Sequence, residues 1–159
     1  MKRQGTTGAI TARRSAKNER RAGLRALSLE LQGLHRELMG ISRDRYERAN
    51  GPVASRAEVF ELLLHDETFT WLRSLSGLIV EIDELAARDG AVTEAEARAM
   101  VARVRALISP SGDPDAFGTR YIALLASEPR VAMSHVGLRG ALGELVEPEE
   151  SEPEREWQA

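Results

Sequence analysis

Three side chains capable of acid–base or metal chemistry lie on apolar helical faces of this sequence, where polar groups are unexpected. His35 flanks a leucine stripe, Asp83 lies within an apolar arc, and His135 falls in line with Val131 and Leu138. A buried carboxylate must be paired, hydrogen-bonded or protonated, because an isolated charge is too costly in an apolar setting. Asp83 is therefore expected to have a partner, and the two histidines are candidates.

If these side chains converge, they form a two-histidine, one-carboxylate set, which suits a divalent transition metal or an acid–base pair. Ser76 shares the arc of Asp83, and Tyr46 follows His35 by about three helical turns on the same side. The candidate ligand-binding residues are thus His35, Tyr46, Ser76, Asp83 and His135, with the cofactor unknown. The alternative is a set of satisfied hydrogen bonds inside the core, without a function.

The motifs of common enzyme classes are absent from the sequence. It contains no Glu-x-x-His pair, no His-Glu-x-x-His, no phosphate loop, no dinucleotide fingerprint and no Gly-x-Ser-x-Gly. It also contains no cysteine, which excludes disulfides, thiolate metal sites and thiol nucleophiles. These absences favour a binding protein over an enzyme.

Start and stop signals divide the middle of the chain into helices that would position these residues. Asn50-Gly51-Pro52 is a typical helix end, and Ser55 with Glu58 and Thr93 with Glu96 are capping boxes that open helices. The predicted helices span about 16–49, 55–64, 66–88, 93–108, 115–127 and 129–145. Because no segment has the sequence pattern of a β-strand, we predict an all-α compact bundle of five or six helices. A single domain over 16–145 forms this bundle.

A leucine-rich stripe on the first helix repeats with spacings of three and four residues, as in a coiled-coil seam. Its members are Leu24, Leu27, Leu31, Leu34, Leu38 and Ile41. Two interpretations remain open: the stripe packs on the helices of its own domain, or it is the interface of a homodimer.

The third predicted helix is apolar over more than half its circumference, which predicts the central helix of the bundle. The aromatic residues near it are expected to pack in the core. These are Phe60, Phe69, Trp71, Phe117 and Tyr121. A pocket for an apolar ligand between helices is a further possibility.

The two ends of the chain carry opposite charges within a formal net charge of -3. Residues 1–25 hold eight cations against Glu19, and residues 144–159 hold seven glutamates against Arg155. We predict a flexible, disordered basic arm over 1–15 and a disordered acidic tail over 146–159.

The basic arm allows a nucleic-acid partner bound through its phosphates. The candidate contacts are Arg13, Arg14, Lys17, Arg20 and Arg21. The arm lacks aromatic residues for base stacking, and the rest of the chain is acidic. A protein partner or self-association is therefore favoured, and a small-molecule ligand is the alternative.

No apolar run approaches the roughly 20 residues of a membrane helix, and no apolar leader is present. Arginine outnumbers lysine by 20 to 2, which is typical of GC-rich bacterial genomes. We expect a bacterial cytoplasmic protein, a small helical binding or regulatory protein that acts through protein contacts. A metal- or small-molecule-binding bundle is the alternative, and a nucleic-acid accessory protein is the second.

Overall fold

The computed structural model describes the backbone of residues 5–145 and the side chains of residue 15 and residues 18–145. Its helices are α1 (Gly5–Asn50), α2 (Arg56–His65), α3 (Glu67–Thr70), α4 (Arg73–Ala87), α5 (Glu94–Ile108), α6 (Phe117–Ser127) and α7 (Pro129–Leu145). Six of these have ten or more residues, and α3 is a single turn. Residues 5–145 contain no strand, so the predicted all-α class is confirmed. The predicted acidic tail lies outside the described residues.

Local capping signals set most helix boundaries. The Ser55 hydroxyl accepts from the Glu58 N–H, and Thr93 and Glu96 form a reciprocal capping box at the start of α5. The backbone N–H and the hydroxyl of Thr93 and the guanidinium of Arg88 hold the pKa of the Glu96 carboxyl at about 2. Gly51 ends α1 with a φ of 90°, a conformation that glycine adopts without strain.

Two predicted boundaries differ from the structure. Helix α1 begins at Gly5 rather than at about 16, and the disordered arm over 1–15 stays a prediction. The single helix predicted over 66–88 is broken after Thr70, where the Trp71 indole N–H donates to the Thr68 carbonyl at 2.9 Å. This break separates α3 from α4 and turns Trp71 towards Phe117, whose ring centroid lies 5.3 Å away.

The leucine stripe of α1 forms the centre of the hydrophobic core. The five leucines of the stripe have no exposed surface, and Ile41 is only 5% exposed. They pack with buried residues of α4, α5, α6 and α7 of the same chain. The structure therefore corrects the predicted dimer interface: Leu24, Leu27, Leu31, Leu34, Leu38 and Ile41 are intramolecular core. A surface with no accessible area cannot dock a second chain unless the fold opens.

Helices α1 and α7 pack side by side in antiparallel directions. Leu145 reaches Gly23, where an added Cβ would lie 2.7 Å from the leucine Cδ2. Two turns along, the Glu30 carboxylate occupies the space beside Gly137. Arg130 lies 3.6 Å from Glu37 at the far end. The glycines at positions 23 and 137 thus allow the close approach of the two helices.

The prediction that residues of α4 lie at the centre of the bundle is wrong, because only one side of this helix is covered. Leu75, Leu78 and Ile82 are buried, whereas Val80 is 54% exposed and Asp83 is exposed. Phe60 on α2, predicted to be core, is also exposed, at 58%. The central helix is instead α1, which contacts both α4 and α7 through its leucine stripe.

Within residues 5–145, no helix is long and apolar enough to cross a bilayer. The one helix of sufficient length, α1, carries many charged side chains, including Arg20, Arg21 and Arg25.

Candidate functional site

The three residues that could have formed a metal or acid–base site do not converge. Each makes its contact with a different partner: His35 with Ser76, Asp83 with Ser28, and His135 with Tyr121. The structure therefore corrects the hypothesis of a two-histidine, one-carboxylate site. Among the described residues, no group of three or more histidine and acidic side chains could hold a metal ion.

A row of polar residues follows one edge of the interface between α1 and α4. We call it the polar row: Ser28, Gln32 and His35 of α1, with Ser76 and Asp83 of α4. The Ser28 hydroxyl donates to Asp83 Oδ1 at 2.5 Å, and Gln32 Nε2 donates to Ser28 Oγ at 3.0 Å and to Asp83 Oδ2 at 3.5 Å. Asp83 is thus paired with the Ser28 hydroxyl and the Gln32 side-chain amide, and its carboxylate remains exposed to solvent.

The other half of the polar row is a serine–histidine pair. Ser76 Oγ lies 2.8 Å from His35 Nε2 and 3.2 Å from the Leu72 carbonyl one turn back. This separation would allow a histidine to activate a hydroxyl. The backbone N–H groups around Ser76, however, are used within α4, so this helix cannot supply an oxyanion hole. The pair thus satisfies the hydrogen-bonding groups of both side chains at the edge of the α1–α4 interface.

His135 forms a pair with Tyr121 across the α6–α7 contact. The tyrosine hydroxyl lies 2.7 Å from His135 Nδ1, and the ring of Tyr121 has no exposed surface. Burial raises the pKa of the Tyr121 hydroxyl to about 12, so this group stays protonated at neutral pH. Tyr121 was predicted as a core aromatic residue, which is confirmed, but its pairing with His135 was not predicted.

Tyr46 lies apart from the other candidate residues. Its ring packs against Phe69 with centroids 5.9 Å apart, at the end of α1 near α3. His35 lies on α1 three turns earlier, where it meets Ser76. The predicted grouping of Tyr46 with the histidines is therefore wrong, and Tyr46 closes the core beside the α2–α3 segment.

Two of the five cations predicted to bind nucleic acid make contacts within the fold, which leaves that prediction untested. Arg20 Nε donates to the Val92 carbonyl at 3.0 Å, and Arg21 Nη2 donates to the Arg88 carbonyl at 2.9 Å. These contacts hold the α4–α5 loop against α1. The side chains of Arg13, Arg14 and Lys17 lie outside the described residues, so the nucleic-acid hypothesis stays a prediction for them.

Comparison with protein-family models, with curated proteins and with solved structures finds no match to this chain.

One signal for the polar row was present in the sequence but was not used. Ser28, His35 and Ser42 are seven residues apart and lie beside the leucine stripe, and both serines are buried, at 2% and 3% exposure. Polar residues at heptad spacing next to a buried stripe indicate a polar edge of the same interface. The pairing of that edge with Ser76 and Asp83 depends on the packing of α4, which no local pattern reveals.

We predict that the protein becomes less stable below neutral pH because of His35 and His135. Burial lowers the pKa of His35, and burial together with the nearby Arg139 guanidinium lowers the pKa of His135. The unfolded chain then binds more protons than the folded chain as the pH falls through about 6.5, the ordinary histidine value. The free energy of unfolding should consequently be fully retained above pH 7 and decrease as the pH falls towards 5.5.

Urea unfolding curves at pH 7.5, 6.5 and 5.5 test this expectation. In the double variant His35→Gln, His135→Gln, the urea midpoint should change less with pH over this range. The matched control is His65→Gln, which removes a histidine that is exposed at the end of α2. A parent protein whose urea midpoint does not decrease between pH 7.5 and 5.5 would contradict the burial described for both rings.

Proposed function

We propose that this protein is a small helical binding protein that acts through protein contacts, and that it associates with a second copy of itself through the outer face of α1 and α7. The observation that carries the proposal is a group of large apolar side chains turned away from the core. Leu29 is 67% exposed, Met133 is 77% exposed and Val136 is 71% exposed. Exposed apolar groups that cluster on one surface favour a protein-binding role.

The clustering follows from the antiparallel packing of α1 and α7. At about 100° of rotation per residue, Leu29 and Gly33 lie on the side of α1 opposite its leucine stripe. Met133, Val136 and Gly140 lie likewise on the side of α7 opposite Leu138 and Leu142. We define the outer face as Leu29, Gly33, Met133, Val136, Gly140 and Gly143.

Glycines on this face support a close approach by another chain. Apart from the nearby backbone of its own helix, a Cβ added at Gly33, Gly140 or Gly143 would meet no atom of the described residues within 4 Å. Internal packing therefore does not require glycine at these positions, although each glycine destabilises a helix by about 1 kcal/mol relative to alanine. A backbone or large side chain of a partner would fill the space that they leave.

The order of large and small residues favours a second copy as the partner. Met133, Val136, Gly140 and Gly143 have spacings of three, four and three residues, with the two large residues first. An antiparallel two-fold pairing of α7 would place Met133 opposite Gly143 and Val136 opposite Gly140 of the partner subunit. Such self-complementarity is what an isologous interface requires.

Charge on the rim of the face fits the same pairing. Arg130 lies near the start of α7 and Glu144 lies near its end, on the same side of the helix. An antiparallel copy brings Arg130 towards Glu144 of the partner subunit, and the two-fold axis repeats the contact. This arrangement gives two opposite-charge pairs that a parallel pairing would not form.

Two carboxylates on the outer face should abolish self-association. We expect Met133→Glu combined with Val136→Glu to sediment as a monomer, because both carboxylates would be desolvated opposite glycines in the dimer. Sedimentation velocity over a range of protein concentrations measures this. The melting temperature of the dilute protein should change little, since both positions are exposed.

The matched control is Val80→Glu, an equally polar change at a position on α4 that is 54% exposed and outside the outer face. It should leave the dimer intact. A parent protein that is monomeric at every concentration, or a double variant that remains dimeric, would refute self-association through this face.

A further inference from the structure

A pocket between the end of α5, α6 and α7 combines cationic and apolar walls. Its volume is about 550 Å³, within the range of small-molecule sites. Arg105, His135 and Arg139 supply its charged and polar groups. Its apolar surface comes from side chains of all three helices, namely Ile108, Ile122 and Leu142. We call this the α5–α7 pocket.

The charge of this pocket is of one sign. None of the described residues that line it is acidic. Among the described residues, no carboxylate lies within 4.0 Å of the guanidinium of Arg105 or of Arg139. The position of Arg105 in the last turn of α5 is explained by the helix dipole, which favours a cation there. Arg139 lies about two turns before the end of α7, and within residues 18–145 no carboxylate or helix end accounts for its charge.

The Tyr121–His135 pair adds a hydrogen-bond donor to the same pocket. The buried Tyr121 hydroxyl has one contact among the described residues, His135 Nδ1, so its proton must be directed to that nitrogen. Nδ1 therefore accepts, and the proton of the neutral imidazole is on Nε2, at the opposite edge of the ring. His135 thus presents an N–H donor beside two guanidinium groups.

We propose that the α5–α7 pocket binds an organic anion that has one carboxylate or phosphate head and a compact apolar body. Arg139 and Arg105 bind the head as charge-assisted donors, and the Nε2–H of His135 completes the set. Ile108, Ile122 and Leu142 cover the apolar body. The orienting residue is Tyr121, which acts through His135 by fixing which ring nitrogen carries the proton.

Anion binding in the α5–α7 pocket does not depend on the proposed self-association. It lies on the side of α7 that faces α5 and α6, whereas Met133 and Val136 lie on the outer face, and Gly143 marks the border between the two. Binding of the anion should therefore persist in the Met133→Glu, Val136→Glu double variant. Failure of the dimer proposal would leave this inference intact.

Isothermal titration calorimetry of octanoate binding to the full chain tests the proposal. Octanol and octylamine serve as the neutral and cationic probes of the same chain length. Octanoate should bind at least about tenfold more tightly than either probe, since only it satisfies the cationic donors. Arg139→Gln and Arg105→Gln should each weaken octanoate binding by about tenfold. Arg98→Gln, an exposed arginine of α5 that pairs with Glu94 outside the pocket, is the matched control and should bind as the parent does.

A second readout distinguishes the pocket from a general electrostatic effect. In NMR titrations, saturating octanoate should raise the pKa of His135, because a neighbouring anion favours the imidazolium. His35 should titrate as before, since it does not line the pocket. Equal binding of octanol, unchanged affinity in both arginine variants, or a His135 titration that octanoate does not move would each overturn the proposal.

Discussion

Replacing Leu31 with lysine is expected to abolish cooperative folding. Leu31 has no exposed surface and lies in the leucine stripe of α1, which packs on both α4 and α7. Loss of a buried leucine alone typically destabilises by about 2–5 kcal/mol. An ammonium group without a buried partner adds several more. Because domains of this size are stable by only about 5–15 kcal/mol, the sum is enough to unfold the chain.

Circular dichroism during heating measures the effect: the variant should lose the sigmoidal transition that the parent shows. Val80→Lys is the matched control, at a position of α4 that is 54% exposed in the parent and lies outside the outer face. It should melt within a few degrees of the parent. A Leu31→Lys protein that is folded and monomeric, where the parent is a dimer, would instead establish the leucine stripe as an intermolecular seam.

Gly118→Ala is expected to be the most destabilising substitution of a glycine in the described part of the chain. An added Cβ would overlap the Ser109 carbonyl and would lie 2.9 Å from the Leu107 oxygen. Both are backbone atoms at the end of α5, so no side-chain rotation relieves the overlap. Overpacking of this kind typically destabilises by about 1–3 kcal/mol, and we expect the upper end of that range, since α6 as a whole must move.

The urea midpoint of Gly118→Ala, compared with that of Gly77→Ala, tests the α5–α6 contact. Gly77 lies inside α4, and a Cβ there would meet no atom within 4 Å. Gly77→Ala should therefore stabilise by up to about 1 kcal/mol through helix propensity alone. If Gly118→Ala shifted the midpoint upward by a similar amount, α6 would not pack on α5 as described.

The helices could be predicted where short-range chemistry decides their ends. The capping box of Thr93 and Glu96 opens α5, Gly51 closes α1, and Pro129 begins α7, as the sequence indicated. The break after Thr70 was missed because it depends on tertiary contacts. Phe69 packs against Tyr46 of α1, and Trp71 packs against Phe117 of α6. Neither contact is visible in the local sequence, which has no glycine or proline between Asp66 and Ser76 to mark a break.

The candidate site was harder to predict than the fold for the same reason. The sequence showed which polar residues lie near apolar stripes, but not which helices meet there. Asp83 was expected to be buried because its neighbours along α4 are apolar, yet α4 is covered on one side only. His135 contacts Tyr121, a residue that was predicted only to pack in the core. Helix pairing and register, rather than residue type, decide these contacts.

The antiparallel contact between α1 and α7 also constrains the order in which the protein can fold during synthesis. Leu145 packs on Gly23, so core residues of the leucine stripe are covered by a helix that is synthesised much later than they are. Until α7 emerges, one side of the leucine stripe has nothing to cover it. Contacts this distant in sequence form slowly, and an uncovered apolar stripe invites aggregation. A nascent chain in which α7 is not yet synthesised should therefore aggregate more readily than one in which α7 is complete.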